Sequence, residues 1–378
     1  MKTESTEKRK CIGEYIVSLI IAVLLTTAFF CMPSYGADIE YDNLENLLRA
    51  GNSALTDSSF QTGLENSEYQ IAIFEEEYHD LKLMYQDAKD AGDSDNAKIY
   101  QSYMKSISAT LKNLKRSYQK NYAETSPSGR NFNKQAETLV QSTQAQMNSY
   151  NRMLLNAEAA AKAAEAARAK YSQMTNRYSV GAANEADVNA AYIDMLGKDI
   201  AKINYEEQVL TLRQNLLKTL GIPDDGTVTI GKIPDPDPAA VSAIDHDADL
   251  QQYISYSSDV SSARTLKITN RYKEDEMELA MGDAVSEFED LYQQLMAQLT
   301  SYYSSAQEYD AACRKWESAQ RKAAAGMLTE TDRLSAEAEY LSASAKYQTG
   351  RMQLKQSYED YRWRLIGIGG GQSPSGRQ

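Results

Sequence analysis

Two glycine-centred breaks interrupt long proline-free stretches, and they constrain the fold of this chain more than any other feature. The breaks are residues 180–187 and 325–332, whose glycines lie 145 positions apart. Each has glycine where a helix C-terminus favours positive φ, then a polar N-cap residue, then aspartate at position N3. These residues are Gly181, Asn184 and Asp187 in the first break and Gly326, Thr329 and Asp332 in the second. The pattern predicts two helical hairpin tips, named here the first tip (180–187) and the second tip (325–332).

The surroundings of the two tips indicate an internal repeat. Each tip is followed by about 35 residues of helical pattern that end in a hydrophobic-Gly-Ile sequence, at 220–222 and at 366–368. Between the two copies lie prolines 223, 234, 236 and 238, which enclose a β-branched segment, 227–230, that could form one short strand. The sequence therefore predicts a first helical repeat over 37–222, a proline-rich connector over 223–238 and a second repeat over 239–368.

The two ends of the chain are predicted to be a signal peptide and a disordered tail. Three basic residues at 8–10 precede an apolar run over 15–30, and small residues follow near position 36, which predicts a signal peptide over 1–36. The alternative is a retained anchor helix, although the apolar run is shorter than the roughly 20 residues that a bilayer span prefers. Both interpretations place the chain outside the cytoplasm, in the cell envelope or at the cell surface. The glycine-rich segment 369–378 is predicted to be disordered.

Composition argues against several functional classes. The formal net charge of −13 disfavours nucleic acid as a partner. His79 and His246 are the only histidines, and neither has a second histidine or a cysteine at metal-ligand spacing. The predicted mature chain keeps a single cysteine, Cys313. No nucleophile with its base and no phosphate-binding loop is visible. We therefore expect no catalytic site, no metal, no cofactor and no enzymatic activity.

Apolar heptads run along most of the chain and predict an all-α fold of long antiparallel helical hairpins. They comprise Leu64, Ile71, Phe74, Tyr78, Leu81, Tyr85 and Ala88; Tyr100, Met104, Ile107, Leu111, Leu114 and Tyr118; Leu196, Ile203, Leu210 and Leu217; Phe288, Tyr292, Leu295, Leu299, Tyr302, Ala306, Tyr309, Cys313 and Trp316; and Tyr340, Tyr347, Leu354 and Tyr361. One helix is predicted over 131–179. A tight turn is expected at 125–129, whereas the break at 90–95 could be a kink, a heptad discontinuity or a hairpin loop.

With these motifs in place, the chain resembles the TolC family of outer-membrane efflux proteins. The resemblance rests on the segment 178–188 around the first tip, the amphipathic helix after it, the Leu-Gly-Ile stop, the proline-rich connector and the second copy at 326–332. It implies a homotrimer in which each chain gives two helical hairpins to a tunnel of twelve helices. It also implies docking of the tips on a membrane-fusion adaptor that connects to an inner-membrane pump.

Carried over to this sequence, the resemblance gives seven adaptor-docking residues: Val180, Gly181, Ala182, Ala183, Gly326, Met327 and Leu328. Six further residues are helix caps or, alternatively, an acidic tunnel entrance: Asn184, Glu185, Asp187, Thr329, Glu330 and Asp332. The sequence departs from the family at 121–132 and 255–270, which are too short for two membrane-spanning strands with a turn. We therefore expect a TolC-like α-helical barrel protomer with little or no β-barrel.

Three functions are compatible with this pattern. The leading one is a transport component, an exported trimeric duct that receives cargo through an adaptor. The second is a coiled-coil structural or interaction protein of the cell envelope that conducts nothing. The third, a secreted regulator of a wall hydrolase, rests only on analogy between coiled coils.

Overall fold

The computed structural model describes residues 39–266 and 270–368, with residues 270 and 271 described by their backbone alone. The predicted signal peptide and the predicted disordered tail lie outside the described residues. The helices, numbered along the chain, are α1 Leu44–Gly51, α2 Ser53–Thr56, α3 Ser59–Asp90, α4 Ser94–Asn121, α5 Pro127–Ser179, α6 Glu185–Leu220, α7 Pro238–Ser242, α8 His246–Tyr256, α9 Ser258–Thr265, α10 Asn270–Ala324 and α11 Glu330–Leu365. A 3₁₀ turn at Tyr41–Asn43 precedes α1.

Local capping chemistry decides where the long helices begin. Ser126 accepts a hydrogen bond from the Gly129 backbone N–H, and Pro127 stands at the first helical position, where its missing N–H costs nothing. Helix α5 therefore starts at Pro127 rather than at the predicted residue 131, and the predicted turn at 125–129 was placed too late. It spans 53 residues, or about 80 Å of helix.

The break at 90–95 is a hairpin loop, because α3 and α4 pack against each other.

Four long helices form one antiparallel layer in the order α6, α5, α11, α10. Helix α5 packs against α6 on one side and against α11 on the other, and α11 also packs against α10. The α5–α11 pair keeps a constant register, since Gln141 bonds Asp360, Asn148 donates to the carbonyl of Met352 at 2.8 Å, and Lys162 pairs with Glu337. The predicted α10 seam is confirmed, because all nine of its members are buried or half-buried.

An aromatic core holds the helices of the second repeat together at the end of the layer opposite the tips. The Phe288 ring on α10 is fully buried and lies within 5.2–6.3 Å, between ring centroids, of the rings of His246, Tyr253, Tyr292 and Tyr361. The Tyr361 hydroxyl donates a 2.7 Å hydrogen bond to Asp249, and both burial and this carboxylate raise the pKa of the phenol. The cluster fixes α8 against α10 and α11.

The α3/α4 hairpin contacts the four-helix layer at the base of the hairpin. There the Phe60 ring stacks on Phe132 at the start of α5, with centroids 4.8 Å apart, and also contacts Tyr122 at the end of α4. A Cβ on Gly63 would come within 2.5 Å of the Tyr122 hydroxyl, so this crossing is tight. From that base the two helices extend for 32 and 28 residues to a loop in which Gly92 has φ +73°.

The segment predicted as a strand takes part in a single β-bridge in the described residues. Ile39 pairs with Ile230 in parallel orientation, and the Ile39 N–H donates to the carbonyl of Thr229 at 2.9 Å. These residues belong to a small unit, 39 with 224–230, that is separate from the helical unit formed by the other described residues. Among the helices of 39–266 and 270–368, none has the length and apolar composition to span a membrane.

Candidate docking tips

The first tip is a Schellman turn followed directly by a capping box. Helix α5 ends at Ser179, Gly181 has φ +72°, and the Ala182 N–H donates to the carbonyl of Arg177 at 2.8 Å. The Asn184 side chain then accepts from the Asp187 N–H at 2.8 Å, while the Asp187 carboxylate accepts from the Asn184 N–H at 3.3 Å. The capping residues predicted for this tip thus have the expected geometry.

The second tip repeats the turn with one difference in its cap. Gly326 has φ +68°, and the Met327 N–H donates to the carbonyl of Lys322 at 2.9 Å. Thr329 accepts from the Asp332 N–H at 3.1 Å, but its hydroxyl also donates to the Asp332 carboxylate at 2.7 Å. The Asp332 carboxylate therefore accepts a hydrogen bond from the hydroxyl of its N-cap residue. In the first tip the Asp187 carboxylate accepts from the backbone N–H of its N-cap residue instead.

Both tips expose small or unpartnered side chains to solvent. Val180 is 77% exposed and Met327 78% exposed, while Ala183 and Leu328 are half-buried. A Cβ added to Gly181 or Gly326 would meet nothing within 4 Å. The backbone of each turn is thus accessible, so another helix could approach it closely.

The constant register of α5 and α11 brings the two tips to the same end of the layer. Lys162 on α5 lies level with Glu337 on α11, so the start of α11 at Glu330 lies level with a residue about nine positions before the end of α5. At about 1.5 Å per residue, the second tip is set back from the first by roughly 14 Å. A partner that binds both tips would therefore meet a stepped surface.

A chain of ion pairs near the second tip was not predicted. Arg333 pairs with Glu330 at 2.7 Å and with Glu337 at 3.2 Å, and Glu337 reaches Lys162 on the neighbouring hairpin at 3.8 Å. Hydrogen bonds from Arg333 lower the pKa of Glu330. The spacing of three and four residues on α11 was readable in the sequence, but the contact with α5 was not. The acidic residues of this tip thus already cap a helix or pair with arginine.

Helix α6 carries an apolar surface that has no partner in the described chain. Its inward face, which includes Ala191 and Leu216, is buried against α5. Leu217, the last member of the predicted heptad row, is also buried. A second row at heptad spacing faces solvent, with exposed fractions of 69, 41, 59, 52 and 59% in chain order. We name this row the α6 stripe: Ile193, Leu196, Ile200, Ile203 and Leu210. The expectation that Leu196, Ile203 and Leu210 are packed was wrong for the single chain, because α6 is the edge helix of the layer.

The histidines and carboxylates do not come together as a metal site. Within 39–266 and 270–368, no group of three or more His, Cys, Asp or Glu side chains is placed to hold a metal ion. His246 instead contacts Asp247 at 3.1 Å and Glu289 at 2.9 Å, which raises its pKa.

Comparison with known proteins gives weak similarities only. No protein-family model and no curated protein matches the chain. Among solved structures, a membrane protein from Pseudomonas aeruginosa is 13% identical, with 91% of this chain and 94% of that chain covered and a TM-score of 0.39. The Campylobacter jejuni CmeC outer membrane channel is 14% identical over 72% and 69%, with a TM-score of 0.38. The outer-membrane channel OprN is 11% identical over 87% and 90%, with a TM-score of 0.44. Such values are too low to assign a function to this chain.

Proposed function

We propose that this protein is an exported component of a TolC-type transport system, in which three copies close into a helical duct whose tips bind a membrane-fusion adaptor. The observation that carries the proposal is the α6 stripe. Helix α6 has two apolar faces, and a helix with two apolar faces needs two helical neighbours. One neighbour is α5 of the same chain. We assign the other to a second copy.

The position of α6 at the edge of the layer determines how copies can meet. The opposite edge is α10, so α6 of one copy would pack against α10 of the next in a head-to-tail contact. Head-to-tail contacts either close into rings or extend into filaments. Closure of three four-helix layers gives the twelve-helix tunnel that the TolC resemblance implies.

The tips supply the second half of the proposal. In a closed ring, the first and second tips of every copy would lie at one rim, because both belong to the same end of the layer. Each copy would then offer two exposed glycine turns to an adaptor. A helical hairpin is the partner class that fits, since it can lay a narrow apolar edge against a backbone that lacks bulky side chains.

The double variant Ile200→Asp/Ile203→Asp is expected to reduce the assembly from three chains to one. Two carboxylates in an apolar helix contact would have to be buried without partners, which is strongly unfavourable. Light scattering of the full chain measures the mass, and circular dichroism checks that the helix content is unchanged.

The matched control is Ala190→Asp/Gln208→Asp, which places the same charges at exposed positions on a side of α6 away from the α6 stripe. It should remain trimeric. A wild-type chain that is monomeric at all accessible concentrations would refute the duct and favour the non-conducting envelope coiled coil.

Bulky residues at the tip glycines are expected to prevent adaptor binding. A photo-activatable phenylalanine analogue at position 180 or 327, introduced in cells of the source organism, should cross-link to an envelope protein that contains a helical hairpin. The variant Gly181→Leu/Gly326→Leu should lower the yield at least about tenfold, because the leucines occupy the surface on which the partner helix would lie.

Gly181→Ala/Gly326→Ala is the control, since alanine and leucine impose the same backbone strain at positive φ but differ in bulk. It should retain most of the cross-linking. The analogue placed instead at position 256, which is 56% exposed and lies away from the tips, should give none of this product. Equal yields from the leucine and glycine chains would disprove docking at the tips.

A further inference from the structure

The two helices of the α3/α4 hairpin carry opposite charge. Helix α3 has eight acidic and two basic side chains, for a formal charge of −6, and α4 has one acidic and six basic side chains, for +5. The chain as a whole is acidic, so a helix of +5 departs from the rest of the molecule. Within the described residues, a single ion pair joins the helices, between Glu75 and Lys115 at 2.5 Å. Most of the segregated charge therefore serves no contact inside the hairpin.

Most of the charges that do not join the two helices lie on surfaces that α3 and α4 turn away from each other. On α3, the residues opposite the seam alternate between apolar and acidic: Tyr69, Ile73, Glu76, Asp80, Leu83 and Asp87. Of these, Tyr69 is 62% and Leu83 54% exposed. On α4, the basic residues outside the heptad seam are Lys98, Lys105, Lys112, Arg116 and Lys120; all are exposed, and Lys98 pairs with Asp95 of the same helix at 3.7 Å. We name these surfaces the acidic face and the basic face.

The register of the hairpin places the two faces at matching heights. The Glu75–Lys115 pair and the hydrogen bond from the Tyr118 hydroxyl to Glu68 fix how α3 and α4 align. In that alignment Glu76 lies level with Lys112, and Asp80 and Asp87 lie about three residues from the heights of Lys105 and Lys98. A neighbouring hairpin related by rotation about an axis parallel to these helices would bring each carboxylate of the acidic face within roughly 5 Å, measured along the axis, of a basic residue.

We propose that α3/α4 hairpins of neighbouring copies of this chain pack side by side, with the acidic face of α3 in one copy against the basic face of α4 in the next. The predicted seam residues of α3 and α4 are mostly half-buried. Two helices alone cannot cover their shared apolar seam, whereas additional helices packed against the pair would bury it. An open groove of about 930 Å³ with Tyr78 and Leu111 in its lining runs along this seam, beside Lys112 and Arg116. Neighbouring hairpins would cover it.

This contact goes beyond the proposed duct, because the hairpin meets the four-helix layer only near its base. The duct depends on α6 and α10 and on the tips, whereas the hairpin contact depends on surface charge of α3 and α4. It would hold the copies together at a second place, and ionic strength would weaken it selectively.

Disulfide cross-linking tests the contact in the full chain with Cys11, Cys31 and Cys313 replaced by serine. One preparation carries Asp80→Cys and a second, differently tagged preparation carries Ala109→Cys; Asp80 lies on the acidic face, and Ala109 lies between Lys105 and Lys112 on the basic face at nearly the same height. After mixing and mild oxidation, links between the two preparations should exceed links within either one at least about tenfold. Predominant Asp80→Cys homodimers, or an absence of links, would overturn the proposal.

Two controls separate this contact from chance collision. Lys120→Cys in place of Ala109→Cys shifts the thiol by roughly 16 Å along the helix, beyond the reach of a disulfide, and should abolish the links. Glu76→Lys/Asp87→Lys on the Asp80→Cys chain should reduce them, and Lys105→Glu/Lys112→Glu on the partner should restore them. Failure of restoration would show that charge does not guide the pairing.

Failure of the hairpin contact and failure of the proposed duct give different experimental results. A chain that is trimeric through the α6 stripe but forms no α3–α4 links would refute this inference alone. Links that survive in the Ile200→Asp/Ile203→Asp background would support the hairpin contact even if the duct contact fails.

Discussion

Replacing Gly221 by alanine is expected to lower the free energy of unfolding by about 2–5 kcal/mol. Gly221 ends α6 with φ +70°, and a Cβ there would lie 1.9 Å from the carbonyl oxygen of Gly51. The reciprocal Cβ on Gly51 would lie 2.2 Å from the carbonyl oxygen of Leu220. Both contacts are with backbone, which cannot rotate away, so α1 and the end of α6 would have to separate.

Denaturant unfolding followed by circular dichroism, at one fixed protein concentration, measures this loss. Gly326→Ala is the matched control, because Gly326 also has positive φ but an open surrounding, and it should cost only about 1 kcal/mol. Gly51→Ala should be destabilising through the clash alone. Similar values for Gly221→Ala and Gly326→Ala would mean that the close approach of the two backbones contributes nothing.

The substitution Phe288→Ala is expected to cost about 3–5 kcal/mol. The ring is fully buried and touches aromatic side chains from α8, α10 and α11, so its removal leaves a cavity that long, rigid helices cannot close. The same unfolding measurement tests this expectation. Since the cluster is the main contact of α8 with the layer, the loss of stability should be accompanied by faster hydrogen exchange in α8.

Tyr272→Ala, also on α10, is the control for Phe288→Ala. Its side chain is 52% exposed, and its replacement should change the free energy of unfolding by less than about 0.5 kcal/mol. A loss below about 1 kcal/mol for Phe288→Ala would indicate that the second repeat is held together mainly outside this core.

The sequence predicted the helical hairpins well because their signals are local. Positive φ at Gly181 and Gly326 and the caps at Asn184 and Thr329 depend on residues a few positions apart. The apolar seam of α10 could also be predicted, because a heptad repeat is visible in the sequence of a single helix.

What could not be predicted depends on partners that are distant in sequence or absent. The contact between Gly51 and Gly221 joins residues 170 positions apart, and a single sequence gives no reason to pair them. Periodicity identified Leu196, Ile203 and Leu210 as a packing row but not which helix they pack against. The break at 90–95 stayed ambiguous because a kink and a hairpin loop share the same small and polar residues. The docking role of the tips remains a prediction.

The constant register of the layer has a consequence for how such a chain can change in length during evolution. Gln141, Asn148 and Lys162 each face a fixed counterpart on α11, so a deletion in α5 alone would shift all later pairs out of phase. Removing seven residues from all four helices of the layer, at one height, would keep every seam in phase and leave both tips and the base unchanged. Length can therefore vary in whole heptads, by roughly 10 Å at a time, independently of what the two ends bind.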